Sequence, residues 1–266
     1  MSLRWRDELR LLLTPQRVYL RRYARGLRPL VVEDRAAEVP VSGGTHWSAA
    51  VETLAPMLAA SPRRGADAQV IVSNHYARFT RVPANDLLVT HDDELRYAQQ
   101  DFVRVYGSAA ERWHVTVSSE ANGGGALASG IDTDLAAALR AVLAAHGLRP
   151  RSLQPALMAV FNAGRATLPA SALRLIVIEP GMAVSALLNP GWSRIRSQRL
   201  AGTGGDEIDR IVQHERALDD EPIEGETVCV APLRATGLPA ALGDGTLVHP
   251  LAPFWSDDQH AQERAA

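Results

Sequence analysis

Lysine is absent from this 266-residue chain: all 28 basic side chains are arginine. The absence excludes a phosphate-binding Walker lysine, a Schiff-base lysine and a Ser–Lys dyad. What remains is a guanidinium that clamps phosphate but does not titrate as a base. Together with abundant alanine, this usage reads as the mark of a GC-rich genome. Cysteine is nearly absent too. Cys229, within Val228-Cys229-Val230, has no second thiol for an internal disulfide and no cluster for zinc, so it reads as a small buried hydrophobe. Long apolar runs are missing: Leu11-Leu12-Leu13 and Leu175-Ile176-Val177-Ile178 fall far short of the ~20 residues that a helical span needs. Charge at Arg4, Arg6, Asp7 and Glu8 stands where a signal peptide would carry its apolar core. A cytoplasmic protein is expected, touching a membrane only through a partner. A formal net charge of −2 provides no whole-molecule field for nucleic acid or anionic lipid.

What is present is globular and mixed α/β in pattern, with 46% hydrophobic and 22% charged residues. Val18–Tyr23 and Leu30–Val32 read as strands turning at Gly26. After Gly43-Gly44, the positions Trp47, Val51, Leu54 and Leu58 recur at helical spacing despite Pro56. Gln69–Ser73 has the make-up of a central strand. It runs through Asn74-His75 into Tyr76–Val82, whose alternation implies one wet face, and Pro83 ends it. Thr90 is placed to cap a helix entered through Asp92, Asp93 and Glu94 and stopped at Gly107. Trp113–Ser118 and Ala126–Gly130 read as strands about a flexible turn at Gly123-Gly124-Gly125. Asp132 or Thr133 caps a helix carrying Leu135, Leu139, Val142 and Leu143, which stops at Gly147. Leu157–Phe161 is expected to be a strand. Three more follow at Leu173–Ile178, Ala183–Leu188 and Trp192–Leu200, the last two joined by Asn189-Pro190-Gly191. A helix opens after Gly202-Thr203-Gly204-Gly205 and a strand covers Val228–Leu233. No internal repeat is obvious. The expected division is an N-terminal lobe with an inserted subdomain over 1–165, a C-terminal lobe over 166–258 and a disordered tail over 259–266.

Few residues announce chemistry. Gly202-Thr203-Gly204-Gly205-Asp206 is the Gly-rich loop best placed to open a helix, whose free N–H groups suit phosphate. Asp206 and Glu207 in the first turn would repel an anion, so a plain helix start is the simpler reading. Glu179-Pro180-Gly181 lies at a strand-to-strand corner and, taken alone, reads as a Pro-Gly hairpin turn. His91-Asp92-Asp93-Glu94 reads as capping rather than as a metal site, and no His pair shows His-Glu-x-x-His spacing. Ser73 and Ser118 lack a nucleophile-elbow pattern. No catalytic constellation emerges from the residues.

The stretch Val70-Ile71-Val72-Ser73-Asn74-His75-Tyr76-Ala77-Arg78-Phe79-Thr80-Arg81-Val82-Pro83 resembles a segment of the actin-like assembly proteins of bacterial type IV pili and type II secretion. These are the PilM and GspL relatives, including the MSHA-type pilus variants. Asp93-Glu94-Leu95-Arg96-Tyr97-Ala98, Phe102, Tyr106-Gly107, Trp113 and Ala128-Ser129-Gly130-Ile131-Asp132 continue the resemblance in order. Glu179-x-Gly181 is similar to the family's Asp-x-Gly phosphate loop, and Arg199–Ile208 to its Arg…Gly-Gly-x-x-Ile segment.

The resemblance implies an α/β actin-like ATPase fold, two ribonuclease-H-like lobes about a cleft, in degenerate form. Its vestigial nucleotide positions would be Glu179, Gly181, Gly202, Gly204 and Gly205. The hairpin matched to the family's first phosphate loop, Val18–Gly26, lacks that loop's glycines and leading Asp. The second loop has Glu179 for Asp and Pro180 within it. The expectation is therefore a cytoplasmic scaffold of a pilus or secretion inner-membrane platform. It would hold the cytoplasmic tail of a membrane partner, near Ser73–Pro83, with weak or no ATPase activity and no cofactor or metal. The alternative is an active ATPase or phosphotransferase of the same fold, using ATP with Mg.

Overall fold

The computed structural model describes residues 6–24, 26, 30–40, 46–61, 65–88, 90–119, 124–169, 171–189, 191–200, 202, 205–219, 222–233, 237–251 and 255. The chain folds as two compact units. One comprises Met1–Arg78, Arg112–His114 and Ile131–Ala156; the other comprises Phe79–Glu111, Val115–Gly130 and Leu157–Ala266.

The first unit is built on a five-stranded sheet of β1 (Asp7–Leu13), β2 (Arg17–Ala24), β3 (Leu30–Glu38), β4 (Ala66–Val72) and β8 (Arg149–Pro155). Its order is β3-β2-β1-β4-β8. β1, β2 and β3 form an antiparallel meander, while β4 lies parallel to β1 and β8 parallel to β4. The helix α1 (Ser48–Ala59) supplies the crossover that a parallel neighbour requires. It buries Ala50, Val51, Leu54 and Leu58, the face that the spacing predicts. A second helix, α3 (Thr133–Ala145), buries Leu135, Leu139 and Leu143. Asp132 starts α3 by accepting the Asp134 N–H at 2.9 Å. Its other carboxylate oxygen accepts the Trp47 indole N–H at 3.1 Å, so one side chain ties the starts of both helices.

In the second unit a sheet of β9 (Leu173–Glu179), β10 (Met182–Leu188), β11 (Trp192–Arg199), β12 (Thr227–Pro232) and β13 (Val248–Pro250) has the order β11-β10-β9-β12-β13. Here too a three-strand antiparallel meander comes first, then two parallel strands, with α5 (Gly205–Arg216) between β11 and β12. Every residue of β9 is buried, as expected of a strand flanked on both edges and covered on both faces. Ile208, Ile211 and Val212 of α5 pack with Ile176, Ile178 and Val230 into the core of this sheet. The two sheets thus share one strand order and one pattern of senses. The residues themselves show no repeat; the duplication lies in topology.

A three-stranded sheet, order β5-β7-β6, is made of β5 (Ala77–Val82), β6 (Trp113–Ser118) and β7 (Ala126–Asp132). The helix α2 (His91–Tyr106) precedes β6. Thr90 and Asp93 form a reciprocal capping box at its start, with Asp93 Oδ2 accepting the Thr90 N–H at 3.1 Å and Thr90 Oγ1 accepting the Asp93 N–H at 3.2 Å. The Thr90 hydroxyl and N–H hold the Asp93 carboxyl below its ordinary range. The Thr80 hydroxyl on β5 donates to Asp101 on α2, fastening that helix to the strand.

Four differences from the sequence-based expectation have physical causes. Leu157–Phe161 is not a strand but part of the helix α4 (Ala156–Gly164). All of 156–161 is buried, and a short run apolar on every side carries no periodicity to separate helix from strand. β8 is not foreseen because Arg149, Pro150, Arg151 and Pro155 look like loop; proline and arginine are tolerated there because β8 is an edge strand. β1 is not foreseen because Asp7, Glu8 and Arg10 break its apolar pattern. β5 does not alternate cleanly: Arg78, Phe79 and Thr80 are all half-buried. The tail over 259–266 and Gly43-Gly44 lie outside the described residues.

Candidate functional site

The candidate nucleotide positions gather at the carboxyl end of the second sheet. Glu179 is the last residue of β9 and is 1% exposed. It faces Met182 across a two-residue turn, Pro180-Gly181, whose Gly has φ +77°. An L side chain is strained at that angle, and a Cβ there would meet nothing within 4 Å. The turn therefore asks for glycine through its backbone geometry and not through crowding. The Leu200 N–H donates to the Gly181 carbonyl at 3.1 Å, which brings the exit of β11, and Gly202 after it, beside the turn. The Leu233 N–H donates to the Ile178 carbonyl at 2.8 Å and sets the exit of parallel β12 alongside. The carboxyl ends of parallel strands are where open α/β sheets place ligands.

The helix end at this site is ill-suited to an anion. Gly205 opens α5, and a Cβ on it would lie 3.3 Å from Pro239, whose ring covers that position. Asp206 and Glu207 occupy the first turn, and Glu207 accepts Arg210 at 2.5 Å. Gly202 has open space around its Cβ position. Gly204 and Thr203 lie outside the described residues. Of the five expected positions, Glu179 and Gly181 form the turn, Gly202 follows the exit of β11 and Gly205 opens α5; among these described glycines the close approach is that of Pro239 to Gly205.

Because the two sheets share one strand order, the counterpart of the β9–β10 turn is the β1–β2 turn, Thr14-Pro15-Gln16. Val18–Gly26, the stretch that the sequence aligns with the family's first phosphate loop, is instead β2 and the connection to β3. β1, hidden in the sequence by its charges, shifts the match by one strand. Thr14 seals its turn: its hydroxyl donates to the Arg17 carbonyl at 2.8 Å and accepts the Arg17 N–H at 2.9 Å, while the Thr14 N–H donates to the same carbonyl at 2.9 Å. Pro15 has no N–H. At most the Gln16 N–H is left of the turn's backbone donors. A phosphate nest needs several convergent N–H groups, and this turn does not fit one. Pro180 likewise removes a donor from the second turn. Among the described residues, no group of His, Cys, Asp and Glu is arranged to hold a metal ion. The residues of the two turns do not fit a magnesium nucleotide.

Two features of this unit left no signal in the sequence. Arg174, second residue of β9 and so at the opposite end of the strand from Glu179, is fully buried. It holds Glu226 at 2.6 Å and Asp219 at 2.9 Å, with Glu215 at 3.9 Å. Arg194 reaches Asp219 at 2.5 Å, and Arg216 reaches Glu226 at 2.7 Å and Asp244 at 2.5 Å. Burial pushes the Glu215 carboxyl up, against the pull of Arg196, Arg174 and Arg194. Each buried charge meets an opposite one, the condition for tolerating such a cluster in a core. The second feature is the glycine seam at Gly124-Gly125, expected to be a flexible turn. Gly125 is buried and pressed against the Trp192 backbone. Gly123 lies outside the described residues.

No family model matches the sequence, and no curated protein matches it. Solved structures do. A chain of a PilM–PilN type IV pilus biogenesis complex is similar over 97% of this chain and 93% of its own, at 15% identity and a TM-score of 0.62. A Bacteroides thetaiotaomicron protein with actin-like ATPase fold and unknown function is similar over 93% and 91%, at 9% identity and TM-score 0.59. The cytoplasmic domain of EpsL, an inner-membrane component of the Vibrio cholerae type II secretion system, is similar over 92% and 90%, at 14% identity and TM-score 0.56. Identities this low speak to fold and not to activity. With its two like-ordered sheets of an antiparallel meander followed by parallel strands, this chain has the actin-like ATPase fold.

Proposed function

We propose that this chain is a non-catalytic scaffold in a type IV pilus or type II secretion platform, and that it holds the cytoplasmic tail of an inner-membrane partner. The observation that carries the non-catalytic half is the Thr14-sealed turn, which spends its backbone donors on itself. The assembly half is supported by likeness of fold, over nearly the whole chain, to a protein of a pilus biogenesis complex and to the cytoplasmic domain of a secretion component. Among the described residues, no helix is long and apolar enough to cross a membrane. The partner segment is assigned to Ser73–Pro83, whose strand β5 stands at the edge of the three-stranded sheet. The division into lobes over 1–165 and 166–258, and a location at the inner membrane's cytoplasmic face, are parts of the same proposal. Affinity capture with the tagged full chain from detergent-solubilised membranes tests it. Recovery of an inner-membrane pilus or secretion component is expected; its consistent absence overturns the reading.

A second reading, an ATPase or phosphotransferase of this fold, draws on Glu179, an acid buried at the carboxyl end of β9 beside Gly181. It requires tight Mg-ATP binding and loss of turnover in Glu179→Gln.

A further inference from the structure

The first sheet ends in an open edge with a groove beside it. β8 pairs with β4 on one side and, among the described residues, with no strand on the other. Its main chain over Arg151–Leu153 makes no backbone hydrogen bond outside that ladder. An unpaired strand edge offers its amides and carbonyls to another chain. α3 packs against β8, and between helix and strand lies a groove of about 170 Å³. Leu139 and Leu143 of α3 and Val70 of β4 are its buried apolar lining, with Leu153 half-buried on the strand side. Arg140 lines it from the helix and Arg151 from the strand, and both are exposed.

The charge around the groove is unbalanced. Arg151 donates to the buried Asp67 at 2.9 Å, and Arg149 attracts the same carboxylate from further off. Glu8, beside Asp67 on β1, is taken up by Arg10 at 2.9 Å. Asp134, in the first turn of α3, lies 4.0 Å from Arg112. Arg140 and Arg149 are exposed and make no ion pair among the described residues.

Size and shape select the occupant. Small-molecule sites run to about 300–1,000 Å³, so this groove suits one bulky side chain and not a nucleotide. A helix flanking an open strand edge is a geometry in which an extended peptide joins a sheet: its main chain bonds the strand and alternate side chains enter the groove. A second copy fits poorly, because two β8 edges side by side would set arginines against arginines, and like charges facing across strands repel. Arginine and proline also guard an edge against indiscriminate pairing. Pro150 and Pro155 bound the open stretch, and the arginines leave it receptive to an acidic strand.

We propose that the groove between β8 and α3 is a docking site for an acidic, extended peptide of another protein. The peptide adds a strand along Arg151–Leu153, seats one apolar side chain over Val70, Leu139 and Leu143, and turns its flanking carboxylates to Arg140 and Arg149. The site shares no residue with Ser73–Pro83 and does not depend on the proposed function.

Fluorescence anisotropy of a labelled octapeptide alternating glutamate with leucine, titrated with the full chain, tests the site. The controls are a lysine–leucine octapeptide and the glutamate–leucine peptide broken by a central proline. Saturable binding of the unbroken acidic peptide alone is expected, weakened at least about tenfold by Arg140→Glu combined with Arg149→Glu. Amide NMR shifts on binding should concentrate in β8 and α3. Failure of the acidic peptide to bind the wild-type chain overturns the proposal, as does equal binding of the lysine peptide. So does binding that ignores both substitutions, or shifts centred on Ser73–Pro83. Dimers seen in sedimentation of the wild-type chain and lost in Arg149→Glu would give the edge to a second copy and overturn it too.

Discussion

Thr14 holds Arg17 by both ends of its backbone, giving its hydroxyl proton to the carbonyl at 2.8 Å and taking the N–H at 2.9 Å. Thr14 is 2% exposed, and removing its hydroxyl leaves the Arg17 N–H without that acceptor and the Arg17 carbonyl with the Thr14 N–H alone. Thr14→Val keeps the volume and loses both bonds. Its expected cost is about 1–3 kcal/mol in urea unfolding; a cost indistinguishable from zero would mean that the turn closes without the hydroxyl.

The Arg174 cluster predicts a larger effect. Arg174→Met leaves Glu226 and Asp219 in the core without their central counter-charge, and a loss of about 3–5 kcal/mol is expected. Glu215 fixes the pH trend. Its folded carboxyl already titrates above its ordinary range through burial, and losing the attraction of Arg174 raises it further. A raised carboxyl contributes stability that is present at low pH and lost as pH rises through its folded value. The deficit of Arg174→Met against wild type should therefore shrink on acidification from neutrality, as unfolding midpoints at several pH values would show. A deficit that grows towards acid contradicts the assignment.

Asp244 has the opposite sign. The Thr246 N–H and hydroxyl, with Gln213 and Arg216, hold its carboxyl at about 2, below its ordinary 3.8. Its contribution is complete above 3.8 and is lost as pH falls towards about 2. The midpoint difference between wild type and Asp244→Asn should be flat above that window and close within it.

Phe161 tests the reassignment of its segment from strand to helix. As part of α4 it is 4% exposed and lies against Trp192. Phe161→Ala should cost about 3–5 kcal/mol, read by chemical unfolding. A cost under about 1 kcal/mol, the level of a surface change, would deny the packing.

Legibility in the sequence follows the range of the interaction. The Thr90 and Asp132 caps are readable because capping is settled within a few residues. β9, β10 and β11 are readable because each is a bounded run with turn residues at its ends. β1 and β8 are not, since β1 carries charge and β8 reads as loop, and only their place in the sheet makes them strands. The shared order of the two sheets leaves no trace, because topology constrains burial and not identity. At the site, Glu179 and Gly181 are found through the turn they make. Thr14 escapes notice because its meaning depends on a strand order that no local pattern encodes, and Gly125 with Gly191 because their partners lie far away in the chain.

The central claim of the proposed scaffold is that the Thr14 turn spends its backbone donors on itself and that neither it nor the Pro180-Gly181 turn holds phosphate. Calorimetric titration of the full chain with Mg-ATP meets that claim most directly. No saturable heat is expected up to about 1 mM nucleotide, weaker than ~4 kcal/mol of binding free energy; a stoichiometric isotherm with micromolar affinity would contradict it.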